Sequence, residues 1–181
     1  MRVYFVGSHS SGKTTLARYV SEKYKLPLLT EVARKIVAER ELQIDNLRSD
    51  IDLVDSYQTE VFYRQIEEEK KLDSFVGDRS LLDCLSYSFQ HSRVGEVLAT
   101  EPMLKLYLER LKHDVVFFVR PTKSTLKSDG VREETNWDQI VSIDAMIKLL
   151  LGMYSIPYFQ IDTSSAQERI KQIDNILALK L

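Results

Sequence analysis

The chain has 181 residues, 44% of them hydrophobic and 29% charged, enough for one globular domain with a sizeable core. Its formal net charge of −2 gives no support for broad adhesion to nucleic acid or to a membrane surface, and a single cysteine, Cys84, excludes an internal disulfide and a multi-cysteine metal site. No apolar run is long enough to span a membrane, and Met1-Arg2 opens directly into an apolar strand rather than a leader, so a reducing cytoplasm is the expected setting.

The first expected strand covers residues 3–6, the apolar run Val3-Tyr4-Phe5-Val6. It leads into Gly7-Ser8-His9-Ser10-Ser11-Gly12-Lys13-Thr14-Thr15, a G-x-x-x-x-G-K-T pattern, and a helical stretch at 13–24 follows. Strand, glycine-rich loop and helix in that order make a phosphate-binding loop. Gly7 and Gly12 permit backbone angles and a close approach that a side chain would block. Consecutive N–H groups of Gly7 to Thr15 and the positive end of the helix then surround a phosphate. Lys13 supplies a cation for the β- and γ-phosphates of ATP, and the Thr14 hydroxyl suits Mg²⁺. His9, in the variable interior of the loop, is expected to matter through its backbone more than its ring.

A second strand at 26–29 precedes Thr30-Glu31-Val32-Ala33-Arg34, which opens a helix expected over 31–41. Glu31 and Arg34 lie three apart on the first turn and can face one cleft. Glu31 suits hydrogen bonds from a hydroxyl or base, and Arg34 suits a phosphate or carboxylate. Favourable charge at a helix start plus a solvated arginine explains the pair equally well. A polar loop follows at 43–51, then a long helix at 52–72 in which Val54, Tyr57, Val61, Phe62 and Ile66 recur at helical spacing.

The third strand, 75–77, runs into Asp78-Arg79-Ser80. Asp78 ends that strand and should emerge at the ligand edge near Lys13 and Thr14. A carboxylate there can hold the Mg²⁺ shell or take the proton from an attacking hydroxyl. Arg79 can bind phosphate through its planar fork. The competing reading makes Asp78 the N-cap of a helix at 81–91 and Arg79 a surface charge; the phosphate-binding loop upstream favours the first. Asp83, one turn on, faces either the acceptor or solvent. Cys84 reads as a small core residue. His91 and His113 lack partners at metal-ligand spacing.

A helix at 101–112 and a fourth strand at 115–119 lead to Arg120-Pro121 and on to Ser128-Asp129-Gly130-Val131-Arg132. The polar stretch 121–135 reads as a lid whose closure brings Arg132 onto the transferring phosphoryl group and expels water. An ordinary turn at Asp129-Gly130 is the plain alternative. Trp137, next to it, suits stacking on a base, with packing in the core or the lid the favoured reading. A helix at 136–153, a strand at 158–161 and a helix at 167–179 complete the chain. Short apolar strands alternating with helices mean an α/β fold with a parallel sheet covered on both faces and its strand ends gathered at one ligand edge.

The order of phosphate-binding loop, T-E-x-A-R, D-R-S and D-G-x-R resembles small P-loop kinases of the AAA-like family that includes the ribosylnicotinamide kinase domain of the NAD-biosynthesis regulator. Phage-encoded nucleotide kinases and base-modifying DNA kinases look similar. The resemblance runs from Val3 to about Arg169. It implies a three-layer P-loop NTPase fold, a five-stranded parallel sheet in the order 2-3-1-4-5 between helices, in a single kinase domain with an arginine-bearing lid over about 120–135. It also implies that Glu31, Arg34 and Asp83 belong to the acceptor pocket, that Gln58 on the long helix reads a base, that Asp78 is catalytic and that Arg132 is the lid arginine. Ser128 stands where the group usually has an aspartate before the D-G pair, so no carboxylate role is carried over to it.

The expected activity is transfer of the γ-phosphoryl group of ATP, with Mg²⁺, to a nucleoside or nucleoside monophosphate. Lys13, Asp78, Arg79 and Arg132 would carry the chemistry. A kinase acting on a DNA or RNA end or on a hydroxymethylated base remains open, with Arg18, Lys23, Lys25, Lys35 and Arg40 as scattered basic candidates. So does a nucleotide-driven switch that hydrolyses ATP slowly. No N-K-x-D motif is present, which argues against a GTPase.

Overall fold

The short apolar runs form one parallel sheet in a computed structural model that describes residues 1–30, 32–39, 50–122 and 137–180. Strands β1 (Arg2–Val6), β2 (Leu28–Leu29), β3 (Phe75–Asp78), β4 (Val115–Val119) and β5 (Phe159–Ile161) lie in the order β2-β3-β1-β4-β5, with every pairing parallel. The helices among the described residues are α1 (Lys13–Tyr24), α2 (Val32–Glu39), α3 (Ile51–Lys70), α4 (Leu81–His91), α5 (Gly95–Ala99), α6 (Pro102–Leu111), α7 (Trp137–Met153) and α8 (Ala166–Ala178). None of them is long and apolar enough to cross a membrane.

Helices cover both faces of the sheet, which is why β1 and β4 read as unbroken apolar runs rather than alternating ones. Val3 and Phe5 point to the face packed by Leu16, Ala17 and Val20 of α1 and by Ile173 and Leu177 of α8. Tyr4 and Val6 point to the other face, into a cluster with side chains of α3, α4, α6 and α7. Cys84 belongs to that cluster, as expected of a small core residue.

Three departures from the sequence expectation have a clear physical cause. The loop expected to run to residue 51 ends sooner, because Asp50 caps α3 by accepting N–H bonds from Asp52 (3.0 Å) and Leu53 (3.1 Å). Strand β2 is shorter than 26–29: Pro27 has no N–H to donate, although its carbonyl accepts from Val76 N–H at 2.8 Å. Helix α5 spans only 5 residues, too few for a helical period to show in the sequence.

The register places Phe5 beside Asp78, so the ends of β1 and β3 are neighbours. The helices that follow them part company: α1 packs on one face and α4 on the other. Adjacent strands whose connections diverge leave a crevice at their carboxyl ends, the place where such sheets bind ligands. A buried polar cluster supports it from below. Glu69, fully buried, accepts from Tyr4 Oη (2.6 Å), Gln65 Nε2 (2.9 Å), Tyr107 Oη (3.0 Å) and Arg110 Nη2 (2.6 Å). The Tyr107 hydroxyl accepts the Leu81 N–H at 3.3 Å, which fixes the first turn of α4. A carboxylate buried this deeply is stabilising only while its donors remain; losing one partner of such a group costs about 3–5 kcal/mol.

Candidate active site

The chain leaves β1 through a loop whose backbone only glycine can adopt at two places. Gly7 has φ 149° and Gly12 has φ 92°, while Ser10 at φ 58° occupies the left-handed region at some cost. A Cβ on Gly7 would lie 2.3 Å from the Val119 carbonyl oxygen at the end of β4. Backbone cannot move aside as a flexible side chain does. Gly7→Ala is therefore expected to displace the loop, costing about 1–3 kcal/mol in urea unfolding and most nucleotide binding. Unchanged stability together with unchanged nucleotide affinity would contradict this tight approach.

Lys13 opens α1 and is only 4% exposed. Its Nζ donates to the Ser8 carbonyl (2.5 Å) and to Ser11 Oγ (3.3 Å), so the ammonium spans the loop. The Ser8 hydroxyl is buried with no hydrogen-bond partner among the described residues. Next to Lys13, Thr14 Oγ1 donates to Asp78 Oδ2 at 2.6 Å. Hydroxyl and carboxylate side by side are hard oxygen donors of the kind Mg²⁺ takes. No group of three or more His, Cys, Asp or Glu among the described residues could hold a metal alone, so an ion here would complete its shell with phosphate oxygens and water.

Asp78 is not the N-cap of α4. Ser80 holds that position: its Oγ accepts the Leu82 N–H at 3.1 Å, and Asp83 completes a capping box. Arg79 is not a surface charge, being 9% exposed. Its backbone has φ 109°, rare for a residue with a side chain, and its N–H donates to Phe5 O at 3.1 Å. Its guanidinium lies 5.3 Å from the Tyr87 ring centroid and 3.7 Å from Asp83 Oδ1.

Asp83 does not face solvent. It is fully buried, and both of its oxygens are engaged: Oδ1 accepts the Gly7 N–H at 3.1 Å, and Oδ2 accepts the Ser80 N–H at 2.9 Å and Ser80 Oγ at 3.3 Å. Burial pushes its carboxyl above the ordinary range, against the opposing pull of Arg79 and Lys13. Asp83 thus ties the start of the phosphate-binding loop to the turn that carries Asp78 and Arg79.

The structure gathers Lys13, Thr14, Asp78, Arg79 and Asp83 at one edge of the sheet. The other candidates differ in setting. Thr15 is exposed on α1, and Arg34 is exposed on α2. Gln58 is buried on α3, where Ser88 Oγ donates to its Oε1 at 3.4 Å. The His9 ring is engaged as well, with Nδ1 3.0 Å from Tyr87 Oη. Lys23, one of the scattered basic candidates, pairs with Asp174 at 2.8 Å. Glu31, Arg40, Ser128, Asp129, Gly130 and Arg132 lie outside the described residues, and with them nearly all of the expected lid.

Two residues at this edge had no signal in the sequence. Asp144 of α7, 3% exposed, pairs with Arg120 Nε at 2.8 Å. Arg169 of α8 donates to the carbonyls of Thr163 (2.5 Å), Ser11 (2.6 Å) and Arg120 (3.2 Å). Both sit in helices with ordinary amphipathic spacing, so nothing local marks them.

Residues 2–169 match the model of a family described as AAA domain. No curated protein is significantly similar to the chain in sequence. Among solved structures, NadR in complex with NR superposes with a TM-score of 0.75 at 18% identity, over 97% of this chain and 50% of that one, so the chain spans half the length of NadR. Deoxyadenosine kinase from M. mycoides superposes with a TM-score of 0.70 at 18% identity, over 98% of this chain and 99% of that one. Shikimate kinase from Acinetobacter baumannii gives 0.59 at 16% identity, over 99% and 94%. At such identities the likeness is one of fold, that of the small P-loop kinases, with the sheet order seen here.

Proposed function

Because the chain belongs to the AAA domain family over residues 2–169, we propose that it is a kinase that transfers the γ-phosphoryl group of ATP to a nucleoside or nucleoside monophosphate. The observation that carries this reading is the Thr14–Asp78 contact of 2.6 Å, because it sets a buried carboxylate against the foot of the phosphate-binding loop, beside Lys13. A fold match alone would not suffice, since one fold hosts many acceptors.

In this reading Lys13 and the main-chain N–H groups from Gly7 to Thr15 bind the phosphates and stabilise the charge that develops on the γ-phosphoryl group. Asp78 accepts the proton of the attacking hydroxyl, or orients it through water. Alternatively, Thr14 and Asp78 would hold Mg²⁺, which would supply positive charge to the phosphates. Arg79 offers its fork to the acceptor's phosphate or hydroxyl. Asp83 keeps the two loops at a fixed separation, and the acceptor roles are assigned to Glu31, Arg34 and Gln58, with Arg132 as the lid arginine. Two relatives of the same fold were solved with ligands of this class: NadR with NR, and the deoxyadenosine kinase with dCMP and dCDP.

The test offers γ-labelled ATP with nucleosides, nucleoside monophosphates and oligonucleotides. The label is expected on a nucleoside or nucleotide, with an acceptor KM that changes little between low and moderate salt. A polynucleotide acceptor needs several phosphate contacts, so its binding would fall steeply with salt. Label on oligonucleotides alone with that steep dependence overturns the acceptor class. ATP hydrolysis that no acceptor stimulates overturns the kinase.

A further inference from the structure

We propose that Arg169 is a positioning residue for the nucleoside triphosphate, a guanidinium that locks the phosphate-binding loop to the ends of strands β4 and β5. It rests on the kinase reading only for the identity of the nucleotide. The side chain is buried, at 3% exposure, and reaches from α8 to three loops at once. Nη1 donates to the Ser11 carbonyl (2.6 Å) after β1, Nη2 to the Arg120 carbonyl (3.2 Å) after β4, and Nε to the Thr163 carbonyl (2.5 Å) after β5. Strands β1, β4 and β5 are consecutive in the sheet, so one planar fork staples three adjacent strand ends.

Two consequences bear on phosphate binding. A trans peptide directs its N–H opposite to its C=O. Holding the Ser11 carbonyl towards Arg169 therefore fixes the direction of the Gly12 N–H, at the residue with φ 92° that caps α1. The second consequence is electrostatic. All three acceptors are neutral carbonyls, and no carboxylate pairs with Arg169 among the described residues. Asp162 acts on it electrostatically without forming an ion pair, and Nη1 lies 3.4 Å from where a Cβ of Gly12 would stand. Placing a cation in the early turns of α8 works against the helix dipole. The three carbonyls account for its hydrogen bonds, and an anion in the loop beside it would balance its charge. The root of the segment after β4 is held from its other side too, since the Arg120 N–H donates to Ile161 O at 2.8 Å and its side chain pairs with Asp144.

The test is direct titration of the full chain with AMP-PNP and Mg²⁺, alongside thermal melting without nucleotide. Arg169→Gln is expected to weaken binding about tenfold or more, and Arg169→Lys, which keeps the charge and loses the fork, about threefold. In turnover the KM for ATP should rise while the acceptor KM stays within about twofold, a split that general loosening of the fold would not give. AMP-PNP affinity within about twofold of wild type in a folded Arg169→Gln variant overturns the proposal. If that variant does not fold, unchanged affinity in Arg169→Lys does so instead. A wild-type chain that binds AMP-PNP but phosphorylates no acceptor defeats the kinase reading and leaves this one standing.

Discussion

Replacing Lys13 with alanine is expected to lower phosphoryl transfer about a hundredfold or more while the chain stays folded. The lysine belongs to neither apolar cluster, and its ammonium donates to the Ser8 carbonyl and Ser11 Oγ within the loop. Alanine is the best helix former at the first position of α1, so the helix itself is not weakened. Some stability should still be lost. Asp83 is fully buried and feels two cations, Arg79 first and Lys13 second. Removing the second leaves the carboxylate less compensated, a loss of about 1 kcal/mol that would lower the melting temperature by about 2–4 °C in a chain of this size. Measuring kcat/KM and the thermal transition on the same preparation separates the two effects. Near-normal turnover with an intact transition removes Lys13 from the chemistry. A collapse of the transition would instead mean that the loop lysine is a folding residue.

What the sequence made legible follows physical range. The strands were readable because both faces of the sheet are covered, and residues such as Val3-Tyr4-Phe5-Val6 must then all be apolar. The phosphate-binding loop was readable because the close approach of Val119 to Gly7 and the left-handed backbone at Gly12 restrict those positions to glycine. Helix α5 and the short β2 were missed or misplaced because one turn of helix carries no period and a proline trims a strand. The least legible features are contacts between distant positions. Asp83 is 76 residues from Gly7, and Arg169 is 158 from Ser11. An aspartate three residues after a serine reads as a capping box, and it is one; nothing in that spacing says that its other oxygen holds the phosphate-binding loop. Asp78 shows the opposite case. Its local pattern suited a cap, and the tertiary register with Phe5 gave the cap to Ser80 and left Asp78 facing Thr14.

That assignment makes Asp78→Asn the decisive substitution for the proposed chemistry. The change is nearly isosteric and removes a charge rather than a shape. The new amide oxygen can still accept the Thr14 hydroxyl, now 2.6 Å from Asp78 Oδ2, so the foot of the loop keeps its contact. Ser80 and Asp83 cap α4 without help from Asp78, so the helix start is indifferent to the change. Stability should therefore move by less than about 1 kcal/mol in urea unfolding. An amide can neither take the acceptor's proton nor neutralise a divalent cation. If Asp78 does either, kcat should fall about a hundredfold or more. The KM for ATP should change by no more than a few-fold, because the lost interaction strengthens only in the transition state. The ratio of these effects identifies the role. A loss confined to kcat marks a base, whereas a loss that excess Mg²⁺ partly restores marks a metal-shell carboxylate. Full activity in Asp78→Asn, with the fold intact, would take Asp78 out of the mechanism. The carboxylate would then be a structural partner of Thr14, and the kinase reading would have to find its base elsewhere.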